Sequence, residues 1–206
     1  MKNPIRQLYN WVLRLAESKN GDICLGLISF TEAIFFPIPP DILLIPLCIG
    51  NRKKIYKFFI ICSILSILGG FVGYFIGQKI WWSGENEFSV LAIWFFDFIP
   101  GFSESLFYEI KSKYDLYDFW IIFTAGFTPI PFKLFTISAG AFNLSFPMFL
   151  IASAISRSLR FLIVASLIYI FGAPVKEFID RYFNLLSVIF TILLVGGFLV
   201  IKTLLH

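Results

Sequence analysis

The chain is poor in charged residues, cysteine and histidine. Charged side chains make up 15% of its 206 residues, against about 25% in soluble globular domains. Three cysteines, all in apolar segments, and the terminal His206 do not form the Cys/His pattern of a metal site. A phosphate-binding glycine loop and a nucleophile elbow are also missing. These absences argue against a soluble domain, a metal site and a conventional enzyme, and we expect no cofactor.

Apolar and aromatic residues dominate instead. The chain is 58% hydrophobic and 19% aromatic, which predicts one integral membrane unit of the all-α class. The net charge is +4, but the basic residues are scattered or flank apolar runs, so they indicate topology and no nucleic-acid partner. Within residues 1–20, apolar residues recur at helical spacing, which predicts an amphipathic helix on the membrane surface. Residues 88–117 mix aromatic and acidic side chains and are also expected to lie on a surface.

Three apolar runs are long enough to cross about 30 Å of hydrocarbon. They predict spans over about residues 58–80, over residues 146–172, and within the C-terminal segment 176–206. The sequence therefore predicts about three transmembrane helices.

Two further apolar segments are each interrupted by prolines. Residues 23–50 and 119–142 contain halves of about 9 to 14 residues, which are too short to cross but suit re-entrant helices. Backbone that is not helical at this depth needs a covering of protein or a water-filled cavity. We therefore expect two re-entrant helical hairpins. Their turns are formed by Pro37, Pro39, Pro40, Pro129 and Pro131.

The two hairpins resemble each other in sequence. Residues 35–45 align without gaps on residues 127–137, with five of eleven positions identical and Asp41 opposite Lys133. Residues 51–57 carry four basic side chains and no acid, which predicts a cytoplasmic location. Residues 81–118 carry seven acids and two lysines, which predicts the opposite side. One span separates these segments, so the hairpins are expected to form an inverted repeat.

Glu32 and Asp41 flank the proline turn of the first hairpin. A charge near the bilayer centre costs about 2.5–3.5 kcal/mol, so each must find a partner or water. Two neighbouring carboxylates can share a proton, which would suit proton coupling. The structural alternatives are that Asp41 caps the following half-helix and that Glu32 only stabilises the fold.

Arg157 and Arg160 lie three residues apart on one face of the predicted span. They could receive a phosphate, neutralise Glu32 and Asp41, or extend to a membrane face. Lys133, after the second proline turn, is a further head-group contact or another side chain that extends to the surface. Buried charges of both signs predict a pathway for something polar.

Three motifs, in order, resemble the DedA family, also called the VTT-domain or SNARE-associated family, and within it the YqaA-type branch. They are FTEAIFFPIPPD at residues 30–41, AGFTPIPFK at residues 125–133 with SAG following, and SRSLRF at residues 156–161. The resemblance covers roughly residues 20 to 175, and we take residues 21–175 as the membrane domain. It implies two facing re-entrant hairpins in a bacterial inner-membrane protein with several spans.

The resemblance also implies a function in moving lipids between leaflets and in membrane homeostasis, with undecaprenyl phosphate or a phospholipid as cargo and proton coupling in some members. The family's acidic pair corresponds to Glu32 and Asp41. Its two arginines do not carry over cleanly, because Gly126 stands at the first position and Lys133 only approximates the second. The alternatives are a proton-coupled transporter of a small cation or drug and a scaffold for envelope assembly that transports nothing. The expected partners are membrane lipids, and a homo-oligomer is an alternative to a monomer.

Overall fold

The computed structural model describes residues 20–84, 87–99, 103–128, 130–172 and 174. These residues are mostly helical, as predicted. Their helices are α1 (Gly21–Glu32), α2 (Asp41–Gly50), α3 (Ile55–Trp81), α4 (Val90–Phe98), α5 (Glu104–Phe127), α6 (Phe132–Ala141) and α7 (Phe146–Phe171). A 3-10 turn, Arg52–Lys54, precedes α3. The helices expected within residues 1–20 and 176–206 lie outside the described residues.

The first proline segment is a helix–break–helix unit. The helix α1 ends at Glu32, and the backbone N–H groups of Phe35 and Phe36 both return to the carbonyl oxygen of Thr31 at 2.8 Å. Proline has no N–H group and disfavours helical backbone in the residue before it, so the Pro37–Pro40 segment cannot continue the helix. The next helix, α2, begins at Asp41.

The second proline segment has the same plan, but its first arm belongs to a longer helix. The helix α5 runs from Glu104 to Phe127 and has a kink at Tyr117, where φ is −126° and ψ is 21°. After the break, Pro131 immediately precedes α6. The expected hairpin at residues 119–142 therefore corresponds to the part of α5 after the kink, the break and α6.

The long helices each contact both broken segments. The helix α3 packs against α1 and α6, while α7 packs against α5 and α2, and α3 and α7 also contact each other. Each long helix thus packs against the first helix, or arm, of the helix–break–helix unit that precedes it in the chain. It also packs against the second arm of the other unit. The contact between α3 and α6 is close, because a Cβ atom at Gly77 would overlap the carbonyl oxygen of Ile137. Small residues permit such backbone approach between helices.

A polar layer divides the core at the middle of the two long helices. One apolar cluster contains Phe58 of α3 and Phe161 of α7, and the other contains Tyr74 of α3 and Phe149 of α7. The buried polar side chains of these two helices between those positions are Ser63, Ser66, Ser153, Ser156 and Arg157. The structure therefore concentrates polar groups half-way along α3 and α7.

Residues 52–81 and 146–171 are helical, long and apolar enough to cross a membrane. Many of their large apolar side chains face outward. On α3 these include Tyr56, Ile60, Ile64, Leu68, Phe71 and Phe75, and on α7 Ile151, Ile155, Leu159, Leu162 and Leu167. Exposed apolar surface of this extent is typical of a membrane or protein contact.

The segment after α3 contains two short strands that the sequence did not predict, followed by a helix within the segment expected on a surface. Two short antiparallel strands, β1 (Trp82–Gly84) and β2 (Glu87–Phe88), pair with Trp82 opposite Phe88. The helix α4 follows, and its N-terminus is capped by Ser89, whose side chain accepts a hydrogen bond from the Ala92 N–H group at 3.1 Å. Stacked aromatic rings at this end, such as Trp82 on Phe88 at 4.8 Å, hold the ribbon together.

Candidate functional site

Arg157 of α7 forms a buried ion pair with Glu32, the last residue of α1. Its Nη2 atom donates to Glu32 Oε2 at 2.7 Å, and the two side chains are 3% and 9% exposed. The Nε atom donates to Ser66 Oγ of α3, also at 2.7 Å. Hydrogen bonds to charged groups stabilise more than neutral ones. A single guanidinium therefore joins three helices.

Aromatic rings fix the plane of the same guanidinium. The Cζ atom of Arg157 lies 4.9 Å from the ring centroid of Phe132 and 4.8 Å from that of Phe161. Cation–π attraction is strongest where the cation is desolvated. Arg157 is thus held by a carboxylate, a hydroxyl group and two rings.

Arg160, one turn further along α7, forms a second and more open ion pair. Its Nη2 atom donates to Asp41 Oδ2 at 2.5 Å, and the side chains are 15% and 14% exposed. Its Nη1 atom donates to the carbonyl oxygen of Phe127, at the end of α5, at 3.2 Å. Two buried atoms of this pair, Asp41 Oδ1 and Arg160 Nε, have no hydrogen-bond partner in the described part of the chain. Buried polar groups are normally paired, so these two atoms are exceptions within the site.

Lys133 of α6 contacts the backbone of the first break. Its Nζ atom donates to the carbonyl oxygens of Phe35 at 3.1 Å and Phe36 at 3.3 Å. In the alignment of the two hairpins, Phe35 corresponds to Phe127. A basic side chain therefore donates to the equivalent carbonyl oxygen at each break: Lys133 to that of Phe35, and Arg160 to that of Phe127. The last turn of a helix leaves such carbonyl oxygens without partners in the helix.

These side chains line one open cavity between the two breaks. Three basic and two acidic side chains reach it, so its formal charge is +1. Its lining residues are Glu32, Phe36, Pro37, Pro39, Pro40, Asp41, Thr128, Ile130, Pro131, Lys133, Arg157 and Arg160.

The structure brings together all five charged residues singled out in the sequence. The expectation that the arginines neutralise the acids agrees with the geometry, since each carboxylate has its own arginine. Asp41 also lies at the start of α2, where an acidic side chain is favourable, but it makes no capping hydrogen bond. Pro129 lies outside the described residues.

Three residues of the site were not predicted from the sequence. Ser66 binds Arg157, and Phe132 covers its guanidinium group. Thr136 of α6 donates to the carbonyl oxygen of Ala33 at 2.8 Å and so links the second hairpin to the first break. The one available signal was a serine in the middle of an otherwise apolar span.

Comparison with known proteins places the chain in a family. A protein of Haemophilus influenzae described as an uncharacterized protein is 34% identical over 163 residues, which are 78% of this chain and 78% of that protein. A Histophilus somni protein named "Uncharacterized protein HI0703 homolog" is 33% identical over 165 residues, again 78% of each chain. The chain belongs to the family of these two proteins. No family model matches it, and no solved structure matches it.

The names of these two proteins state no activity, so the residues of the cavity are what indicates its chemistry. Among the residues that the structure describes, no group of three or more His, Cys, Asp or Glu side chains could hold a metal ion. The cavity instead offers arginine and lysine donors beside paired carboxylates. Such a set binds anions such as phosphate, and its ion pairs can exchange partners with a charged ligand.

Proposed function

We propose that this protein is a multi-pass inner-membrane protein that moves a lipid between leaflets. In this proposal α3 and α7 cross the bilayer, and the two helix–break–helix units are re-entrant hairpins in an inverted repeat. The exchange of contacts between the units supports the repeat, because each long helix packs on equivalent arms of both. The apolar outer faces of α3 and α7 support the membrane location.

The observation that carries the proposal is the charged cavity between the two breaks, at the polar layer half-way along α3 and α7. Many transporters bind their substrates near the midplane, where broken helices meet. A phosphate head group would enter this cavity and contact Arg160 and Lys133, while its acyl or prenyl chains stay in the bilayer. Arg160 is the more exposed of the two arginines, 15% against 3%, and it lines the cavity together with Lys133.

Proton coupling is a second part of the proposal. Protonation of Asp41 would weaken its attraction to Arg160 and leave the guanidinium free to bind phosphate. Glu32 would respond to a proton in the same way, at a higher cost, because its pair with Arg157 is more deeply buried.

The three motifs that resemble the DedA family all contribute residues to this one cavity. This supports a lipid translocase over the two alternatives, a transporter of a small cation or drug and a scaffold. A transporter of a cation would need carboxylates that are free to bind it, whereas both acids here are paired with arginines. A scaffold would need no open cavity with unpaired polar atoms.

A vesicle assay tests the proposal. The full chain is reconstituted with a fluorescent phospholipid or with undecaprenyl phosphate, and loss of the label from the outer leaflet is measured with and without a proton gradient. We expect lipid transfer, and we expect Asp41→Asn to slow it at least tenfold, because the amide keeps the shape but cannot bind and release a proton and so cannot alternately hold and free Arg160. The matched control is Asp97→Asn, since Asp97 is exposed on α4.

Thermal unfolding of each variant separates loss of transport from loss of fold. Vesicles with folded protein that transfer neither lipid above the rate of empty vesicles would contradict the lipid translocase, and uptake of a cation by the same vesicles would favour the alternative transporter.

A further inference from the structure

The start of α3 carries basic side chains that the charged cavity does not use. Two of them have partners: Arg52 donates to the carbonyl oxygens of Ile168 and Tyr169 near the end of α7, and Lys57 pairs with Asp22 at 2.5 Å. The side chains of Lys53 and Lys54 are exposed and make no ion pair or hydrogen bond within the described part of the chain. This group, Arg52, Lys53, Lys54 and Lys57, is called the basic edge below.

An apolar stripe begins directly beside the basic edge. Tyr56, Ile60, Ile64 and Leu68 are 70%, 50%, 52% and 46% exposed, and their spacing of four residues places them along one side of α3. At a rise of 1.5 Å per residue the stripe is about 18 Å long. That length is close to half the hydrocarbon thickness of a bilayer, about 15 Å.

We infer that the basic edge and this stripe form a binding site for an anionic phospholipid. The head group contacts Lys53 and Lys54, and an acyl chain lies along Tyr56, Ile60 and Ile64. The charge is complementary, because within the described residues the four cations of the basic edge form one ion pair, that of Lys57 with Asp22. Each basic side chain near a membrane surface attracts anionic lipid appreciably. This inference rests on the membrane location proposed above and does not depend on transport.

Native mass spectrometry of the full chain in detergent tests the site. Phosphatidylglycerol is compared with phosphatidylcholine of the same acyl chains, and bound lipids are counted as each is titrated. We expect phosphatidylglycerol to bind about tenfold more tightly, and Lys53→Gln/Lys54→Gln to remove that preference. Raising the salt should weaken the preference, because the lysines are exposed.

A control separates this site from a general charge effect. Lys111→Gln/Lys113→Gln removes the same charge elsewhere and should keep the preference. Glycerol 3-phosphate, a head group without acyl chains, should not displace the lipid whose binding depends on Lys53 and Lys54. The inference is wrong if Lys53→Gln/Lys54→Gln keeps the preference, if Lys111→Gln/Lys113→Gln loses it equally, or if glycerol 3-phosphate displaces that lipid.

Discussion

The two ion pairs that α7 makes with the first helix–break–helix unit lie one turn apart and differ in how many of their polar atoms have hydrogen-bond partners. Arg157 is enclosed by Glu32, Ser66 and two aromatic rings. Arg160 is more exposed, contacts one oxygen of Asp41, and leaves its Nε atom without a partner in the described structure. Because a satisfied buried charge is costly to disturb and an unsatisfied one gains from a ligand, we assign Arg157 to the framework and Arg160 to binding.

The largest expected effect is on stability. Arg157→Gln strands the Glu32 carboxylate in the core and should lower the free energy of unfolding by about 3–5 kcal/mol. Arg160→Gln should cost about 1 kcal/mol, because Asp41 is close to solvent or ligand. Thermal unfolding in detergent measures both. The double variant Arg157→Gln/Glu32→Gln should recover much of the loss, and equal losses for the two single variants would contradict the assignment.

Ser66 tests whether Arg157 is held as tightly as its contacts indicate. Ser66→Ala removes the hydroxyl that accepts from Arg157 Nε, and should destabilise the fold by about 2 kcal/mol. The control is Ser63→Ala on the same helix. Ser63 is also buried, but its Oγ atom has no partner among the described residues, so its removal should be neutral or stabilising. Similar unfolding temperatures for both variants would show that the hydrogen bond contributes nothing.

The binding role of Arg160 is tested by a substitution that keeps its charge. Arg160→Lys should slow lipid transfer about tenfold with little change in unfolding temperature, because lysine lacks the planar fork that binds phosphate. Arg157→Lys should instead affect stability first, since lysine cannot keep the contacts with Glu32 and Ser66 together. Transfer at the wild-type rate by a folded Arg160→Lys protein would rule out a phosphate fork at this position.

The smallest effect is expected outside the core, at the pair of Lys57 with Asp22. The hydrogen bond from Lys57 lowers the pKa of the Asp22 carboxyl below its ordinary value of 3.8. Because the pKa is lower in the folded state, the ionised Asp22 carboxylate stabilises the fold at pH values above 3.8. This stabilisation is lost as the pH falls below 3.8. The unfolding free energies of the wild type and Asp22→Asn should therefore differ slightly at pH 6, and the difference should shrink as the pH is lowered from 3.8. A difference that grows with acid would contradict this pairing.

Local chemistry made the helices and their breaks predictable. Pro37, Pro39 and Pro40 lie between α1 and α2, and Pro131 directly precedes α6, whereas Pro46 is accommodated inside α2. The long apolar runs correspond to α3 and α7. The charged residues of the cavity were also predictable, because five ionisable side chains stand out among apolar neighbours.

The pairing of those residues could not be predicted. Which arginine meets which acid depends on how α7 packs against α1 and α2, and those contacts join residues 119 to 125 positions apart. The same holds for Lys133, whose interaction is with backbone carbonyls that no side-chain pattern reveals. The short ribbon after α3 is stabilised by aromatic stacking with distant residues, and its two strands are too brief to show an alternation.

The exchange of arms between the two units also has a consequence for synthesis. The first unit emerges from the ribosome with Glu32 and Asp41 in place, but their arginines follow more than a hundred residues later. Until α7 has been made, both carboxylates lack the arginines that pair with them, and until α6 has been made, the side of α3 that contacts it stays uncovered. Contacts of such long range form late and slowly. The nascent chain thus passes through a stage in which the two acids of its first half have no arginine partner.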